Sequence, residues 1–277
     1  MAARLCGSED PVSVLERILA QKRLEVGASS APGAAGVPKL PPREPLDAVG
    51  ALTRSGGPLR LIAEVKFRSP SAGVLCRELD AAARAIAYAQ EGARMVSVLC
   101  DTEFFEGGFG DLARARKALD ERGLSIPLLA KEFVIDALQL EWAAQYGADA
   151  ALLIARIVTP EALGTLAARA RTLGLEPFVE VVTDAERDLA LQMGARIIGV
   201  NARDLDTLAI DVERTAQVLA GIPQGCVAVH LSGLGSPSSL AAVAKGRADA
   251  ALVGEALMRA SDPAPLLRNL VSAAGGR

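Results

Sequence analysis

Polar side chains interrupt four apolar runs of this sequence, each late in its run. They are Glu64 and Lys66 in IAEVK, Lys131 at the end of LLAK, Glu180 in PFVEVV and Asn201 at the end of IIGVN. Because successive side chains of a strand point to opposite faces, we expect Glu64 and Lys66 to share one face. A lysine and a glutamate that face one substrate can act as proton donor and acceptor. Alternatively, these charges pair only to stabilise the strand ends, since a buried charge is costly without a partner.

Eight apolar runs recur from Leu59 onward, at residues 59–66, 95–101, 126–133, 150–156, 177–183, 196–204, 226–233 and 250–257. Amphipathic segments separate them, and several begin near Asp, Ser or Thr and end at Gly, as with Asp184 and Gly194. This alternation predicts parallel strands joined by helices. Eight even units favour a closed (β/α)8 barrel, the TIM barrel, over an open doubly wound sheet, and no G-x-G-x-x-G follows the first run. In such a barrel the polar residues named above would meet at the carboxyl ends of the strands.

An extra helix and a linker precede the first predicted strand. Apolar residues recur at helical spacing from Val12 to Val26, which predicts an amphipathic helix. The next segment, to Pro45, is rich in Pro, Gly and Ala without periodicity, which is typical of a loop. The length of 277 residues fits one barrel of about 250 residues with an extension. We expect one domain overall, with the helix and linker over residues 1–58 and the barrel over residues 59–277.

Two glycine-containing turns follow the seventh and eighth predicted strands. Ser232 and Gly233 lie in HLSGLGS, and Gly254 lies in VGEAL. Barrels frequently bind phosphate with the loops after strands seven and eight, where backbone N–H groups can approach the ligand closely. Together the two turns predict a phosphorylated ligand.

Composition excludes several classes of protein. The net charge of −3 argues against nucleic-acid binding by bulk charge. We find no apolar run long enough to span a bilayer and no uninterrupted apolar signal core, so we expect a cytoplasmic protein without membrane contact. The four cysteines form no close pair, which favours reduced thiols. Because His230 is the only histidine, a multi-histidine metal site is excluded, and we expect no metal.

Several segments resemble a known family. IAEVKFRSPSAG resembles the first-strand signature of indole-3-glycerol-phosphate synthases, which is Glu-x-Lys followed by Ser-Pro-Ser. Residues 128–154, 177–205 and 249–263 are similar to later strands of that family, and VLERILAQKRLEV resembles its extra helix. The resemblance runs from about Leu15 to beyond Asp262 and implies ring closure with loss of CO2 and water from a carboxyphenylamino-deoxyribulose phosphate. It implies no cofactor or metal.

The resemblance also implies roles for individual residues. Lys131 would be the general acid and Glu180 the general base, while Lys66 would contact the substrate carboxylate and can share the acid role. Glu64 and Asn201 would orient the sugar hydroxyls and the lysines. The other expected substrate-binding residues are Ser69, Ser232, Gly233 and Gly254 at the phosphate, Phe105 and Phe133 as apolar walls, and Arg203. We expect a monomer or weak homo-oligomer, with another enzyme of tryptophan biosynthesis as a possible partner.

Two positions depart from the family pattern. The Glu-Ser-Gly of the seventh strand is Leu231-Ser232-Gly233 here, and Asn-Asn-Arg-Asp-Leu has alanine at its second position, Ala202. Leu231 cannot accept a hydrogen bond as a carboxylate would. If Leu231 points inward, His230 points outward and cannot replace it. Glu255 is expected near the phosphate site, at the start of the final loop or helix.

These residues are compatible with three hypotheses for the function. We favour an active synthase, since both the acid and the base are present. Leu231 motivates the alternative of a catalytically impaired phosphosugar-binding paralogue or a pathway-complex partner. A related isomerase would need a cysteine base at a strand end, and Cys76 does not lie there.

Overall fold

The computed structural model describes residues 13–70, 72–204 and 209–275. Eight parallel strands form a closed barrel, as the sequence predicts, and pair in chain order with the last strand beside the first. The strands are β1 (Arg60–Val65), β2 (Met95–Leu99), β3 (Leu128–Lys131), β4 (Ala150–Ile154), β5 (Glu176–Val181), β6 (Ile197–Asn201), β7 (Val227–Leu231) and β8 (Ala250–Val253). Residues of the sequence motifs that lie outside the described ranges are Cys6, Val12, Ser71 and Leu205.

Two helices precede the first strand, and the others follow the strands around the barrel. They are α1 (Val14–Gly27), α2 (Ala48–Leu52), α3 (Ala81–Gln90), α4 (Phe109–Glu121), α5 (Ala137–Gln145), α6 (Pro160–Thr172), α7 (Asp184–Gln192), α8 (Val212–Ala220), α9 (Pro237–Val243), α10 (Glu255–Arg259) and α11 (Ala264–Ala273), with a 3₁₀ turn at Ala155–Ile157. A short antiparallel hairpin, Arg68–Ser69 with Gly73–Val74, follows β1.

Side-chain caps fix the starts of most of these helices. Asp80, Asp136 and Thr159 each accept a backbone N–H of the first helical turn. The predicted cap at Asp184 is displaced by one residue, because Thr183 is the N-cap of α7 and forms a capping box with Glu186. Helix α7 ends before Gly194, which has a φ of +69° and turns the chain toward β6.

Burial on both faces explains the apolar strands. Helices cover the outside of the barrel, and a second cluster fills its interior, including Ile62, Met95, Leu129, Phe178 and Ile197. Charged side chains of the strands therefore lie near the strand ends: Glu64, Lys131 and Glu180 toward the carboxyl ends, and Arg60 and Glu176 at the amino ends.

The N-terminal segment contacts both ends of the barrel. Helix α1 lies at the carboxyl ends, where Val14, Leu15 and Ile18 face the same cavity as the strand ends. Helix α2, which the sequence analysis did not predict, closes the opposite end, with Ala48 and Leu52 buried in the interior cluster. Both helices precede the first strand of the barrel.

The linker between α1 and α2 packs along the outside of the barrel. The backbone N–H of Leu40 donates to the carbonyl of Gln145, and Arg43 pairs with the buried Asp149 at 2.7 Å. No helix in the described ranges is long and apolar enough to cross a membrane.

Candidate active site

A cavity of 460 Å³ opens at the carboxyl ends of the strands. All twelve residues that the sequence analysis selected line it: Glu64, Lys66, Ser69, Phe105, Lys131, Phe133, Glu180, Asn201, Arg203, Ser232, Gly233 and Gly254. The barrel brings them together because each lies at the end of a strand or in the loop that follows it.

Three polar side chains from β3, β5 and β6 form the first cluster of the site. Lys131 Nζ lies 3.3 Å from Glu180 Oε2, and Asn201 Nδ2 donates to Glu180 Oε1 at 2.9 Å. Burial opposes the charge of Lys131, but the carboxylates of Glu180 and Glu64 outweigh it, so the pKa of Lys131 is raised. Lys131 is therefore protonated and can donate to an oxygen of a ligand.

A second ion pair lies on β1 and in the residue after it. Lys66 Nζ is 2.6 Å from Glu64 Oε1, and Ser97 Oγ on β2 lies 3.5 Å from Glu64 Oε2. Burial would raise the pKa of Glu64, but the charges of Lys66 and Lys131 outweigh it, and the pKa is lowered. Glu64 is thus an ionised acceptor that holds Lys66 at the cavity wall.

Apolar side chains line the wall beside these charges. The rings of Phe105 and Phe133 lie 5.9 Å apart between centroids, tilted by 34°. Leu152, Ile154 and Leu252 complete the apolar lining from β4 and β8. This surface can hold a flat aromatic ring next to the lysines and carboxylates.

The opposite side of the cavity is built from backbone. Ser232 and Gly233 both have positive φ, +67° and +75°, in the turn after β7. At Gly254, after β8, an added Cβ would lie 2.5 Å from Glu64 Oε1. Gly254 thus allows the backbone to pass close to Glu64, and the two turns leave room for a ligand group against the main chain.

Leu231 lines the cavity, as expected from strand alternation, and His230 does not. His230 is buried on the outer side of β7, and its Nδ1 has no hydrogen-bond partner within the described residues. Burial lowers the pKa of His230 to about 4, so the ring is neutral at neutral pH. Glu255 begins α10 at the cavity rim, where Arg259 pairs with it at 2.8 Å. Neither side chain supplies a carboxylate at the position of Leu231.

Several site residues were not found from the sequence. Val14, Leu15 and Ile18 reach the cavity from α1, and Arg259 reaches it from α10. Glu132 also lines the cavity, although its neighbours on both sides were selected. Glu132 is itself a charged residue inside the third apolar run, and this was the signal that could have identified it.

The model of the family described as indole-3-glycerol phosphate synthase matches residues 15–270. An indole-3-glycerol phosphate synthase of Mycobacterium ulcerans (strain Agy99) is 41% identical over 268 residues, 95% of each chain. One from Mycobacterium sp. (strain KMS) is 42% identical over 231 residues, covering 83% of this chain and 82% of that protein.

Similarity to solved structures extends to the fold. A 3-hexulose-6-phosphate synthase matches with a TM-score of 0.60 at 16% identity, over 78% of this chain and 99% of that one. A thiamine phosphate pyrophosphorylase from Pyrococcus furiosus matches with a TM-score of 0.57, also at 16% identity, over 78% and 95% of the two chains. At this low identity the two matched structures support the barrel fold alone. The family model and the relative that is 41% identical each cover nearly the whole chain. The chain therefore belongs to the indole-3-glycerol phosphate synthase family.

Proposed function

We propose that this chain converts 1-(2-carboxyphenylamino)-1-deoxyribulose 5-phosphate to indole-3-glycerol phosphate, by ring closure with loss of CO2 and water. The observation that carries the proposal is the arrangement of Lys131, Glu180 and Asn201 beside an apolar wall in one cavity. Family membership supports the same reaction.

The cavity offers a complementary surface for each part of this substrate. The phosphate would bind at the turns of Ser232, Gly233 and Gly254 with Ser69, and the aromatic ring would lie against Phe105 and Phe133. Lys66 would pair with the carboxylate of the substrate, since its ammonium group lies at the cavity wall. Arg203, also at the wall, would add positive charge for this dianionic or trianionic ligand.

The chemistry requires an acid and a base that differ in charge. Lys131 would donate a proton to the substrate carbonyl oxygen while the ring carbon that carries the carboxylate attacks the carbonyl carbon. Loss of CO2 then restores the aromatic ring. Lys131, whose side chain is partly exposed, would regain a proton from solvent and then protonate the departing hydroxyl in the dehydration that follows. Glu180 would take a proton from the adjacent CH2 carbon, which forms the double bond of the five-membered ring.

Asn201 and Glu64 have supporting roles in this proposal. Asn201 fixes the carboxylate of Glu180 by a hydrogen bond, and Glu64 holds Lys66. A cytoplasmic location, a monomeric or weakly oligomeric state, a pathway-enzyme partner and independence from cofactors stay predictions from the sequence.

Steady-state conversion of this substrate tests the proposal, with Lys131→Ala as the critical variant. We expect turnover by the native protein, and a loss of roughly 10²- to 10⁴-fold in kcat for Lys131→Ala, because general acid catalysis contributes about that much. Lys117→Ala, which removes an exposed lysine of α4, is the matched control and should leave kcat unchanged. Binding without turnover, with activity gained in Leu231→Glu, would instead establish a catalytically impaired paralogue.

A further inference from the structure

A fully buried lysine lies outside the proposed catalytic groups. Lys22 Nζ is 2.7 Å from Asp101 Oδ2, 3.0 Å from Glu132 Oε1 and 2.8 Å from Glu25 Oε2. We call these four residues the Lys22 cluster. The ammonium group donates hydrogen bonds to Glu25 and Glu132, and Asp101 adds an ion pair. Such pairing is what makes a buried charge tolerable.

The cluster joins three elements that border the cavity. Lys22 lies one helical turn after Ile18 on α1, so the two residues share the face that α1 buries. Asp101 follows the end of β2, and Glu132 directly follows Lys131 at the end of β3. The cluster therefore fixes α1 against the carboxyl ends of two neighbouring strands.

Each of the two strand-end acids also holds part of the cavity wall. Asp101 Oδ1 accepts the backbone N–H groups of Phe104 at 2.6 Å and Phe105 at 3.0 Å. Glu132 Oε1 accepts the N–H of Phe133 at 2.7 Å. Phe105 and Phe133 are the two tilted rings of the apolar wall, so the carboxylates that bind Lys22 also set the backbone that carries both rings.

We propose that Lys22 is a positioning residue for the reaction, acting through Asp101 and Glu132 on the Phe105–Phe133 wall and on Lys131. The proposal rests on the proposed function, because it names a residue that prepares the same cavity for the same substrate. Lys22 itself does not line the cavity and touches no reacting group. Its effect is to hold α1, Asp101 and Glu132 in one arrangement.

The charges of the cluster give this role a measurable signature. Burial raises the pKa of Glu132 to about 7; the charge of Lys22 opposes the rise and that of Asp101 adds to it. The titratable groups around Glu132 are Lys22 from α1, Cys100 and Asp101 after β2, and Lys131 beside it on β3. Glu25 joins the cluster through Lys22. Removing the ammonium group of Lys22 therefore moves the pKa of Glu132 further up, and Glu132 becomes protonated at neutral pH.

Lys22→Met is the critical variant, because it removes the charge and keeps an unbranched side chain of similar length. We expect kcat/KM at neutral pH to fall by about 10- to 100-fold, since small misplacements of reacting groups cost up to about 100-fold. KM should rise as well, because the aromatic wall loses its support. The acidic limb of the pH profile of kcat/KM should move to higher pH. Asp101→Asn keeps the acceptor for Phe104 and Phe105 but removes a charge that pairs with Lys22, and it replaces Lys22→Met if that variant does not fold. Its kcat/KM should also fall, but the acidic limb should move to lower pH, because the charge of Asp101 raises the pKa of Glu132.

Arg116→Met is the matched control. Arg116 is also a fully buried cation, but it binds the carbonyl of Ile126 at the opposite end of the β3 segment, at 3.0 Å. It should lower thermal stability while kcat, KM and the pH profile stay as in the native protein. If Lys22→Met behaves in the same way, Lys22 is structural only and the positioning role is overturned.

A binding measurement separates this proposal from the proposed function. Calorimetric titration with indole-3-glycerol phosphate should give weaker binding by about tenfold or more in Lys22→Met than in the native protein and in Arg116→Met. A native protein that neither turns over the substrate nor binds this product would overturn the proposed function and the role of Lys22 with it. A native protein that does both, with unchanged kinetics and binding in Lys22→Met, would overturn the role of Lys22 alone.

Discussion

At the scale of single residues, burial sets the charge state of the groups around the cavity. Lys131 and Glu64 both keep their charges, because opposite charges outweigh the cost of burial. His230 has no opposite charge among the causes of its shift, so burial alone lowers its pKa to about 4. Burial opposes the charge of all three side chains. Their charge states differ because Lys131 and Glu64 have oppositely charged partners, whereas His230 has none among the causes of its shift.

His230 should make the protein less stable in acid. Its pKa of about 4 in the folded state lies below the ordinary histidine value of 6.5, so the unfolded chain binds more protons between these pH values. The free energy of unfolding should therefore fall as the pH drops through this window, by on the order of 3 kcal/mol from this group.

Urea unfolding of the native protein and of His230→Gln at pH 7.5 and pH 4.5 measures this contribution. Carboxylates titrate in both proteins, so the informative quantity is the difference between the two proteins at each pH. We expect the native protein to lose more stability than His230→Gln on acidification. Equal losses would mean that His230 is not buried in its neutral form.

At the scale of elements, the strand ends and the glycines decide how closely side chains approach the cavity. Parallel register places Ile154 beside Glu180 and Asn201 beside Leu231, so neighbouring strands end at similar heights. Gly199 on β6 leaves space in the interior for Leu231 and Phe178. The floor of the cavity thus depends on a strand residue without a side chain.

Gly199→Ala should destabilise the barrel. The added Cβ would lie 2.5 Å from Phe178 and 2.7 Å from Leu231, and overpacking of this kind costs about 1–3 kcal/mol. Gly164→Ala in α6 is the contrasting variant, because nothing lies within 4 Å of its added Cβ. It should stabilise the protein by roughly 0.5–1 kcal/mol, since alanine favours a helix interior. Chemical unfolding measures the free energy of unfolding, which should fall in Gly199→Ala and rise in Gly164→Ala. An unchanged free energy of unfolding in Gly199→Ala would show that the interior can expand there.

At the scale of the whole molecule, the two ends of the barrel differ: one opens into the cavity and the other is closed by a helix. The carboxyl ends carry the charged residues under α1, whereas α2 closes the other end with Ala48 and Leu52. Segments that precede the first strand therefore cover both openings. Changes at the α2 end should alter stability and leave the chemistry intact.

Leu52→Ala tests this separation. Leu52 is fully buried in the interior cluster, so its truncation should cost about 2–5 kcal/mol of unfolding free energy. Leu24→Ala, on the exposed side of α1, should change stability by less than about 0.5 kcal/mol. At a temperature where Leu52→Ala is folded, both variants should keep the native kcat/KM. A selective fall in kcat/KM for Leu52→Ala would indicate that the two ends are coupled.

The sequence by itself determined the barrel and the residues of its mouth. Its strands are apolar because both faces are buried, so Glu64, Lys131 and Glu180 stand out within their runs, and local caps such as Asp136 mark the helices. These signals depend on residues close together in the chain, where strand alternation and the first helical turn fix the geometry. The inward direction of Leu231 was readable for the same reason, whereas its replacement of a glutamate followed from the resemblance to the family.

Only the tertiary structure decided which distant charges meet. Lys22 and Glu132, which meet in the folded chain, are 110 residues apart in the sequence. The helical pattern of α1 predicted an apolar inner face, but it did not predict that Lys22 is buried on that face. The predicted face included Val26, which is only partly buried. Closure of the barrel interior by α2 and the loss of charge at His230 also depend on packing between distant segments. Local patterns carry no information on such contacts, because the free energy of a buried charge is set by the groups that surround it in the folded chain.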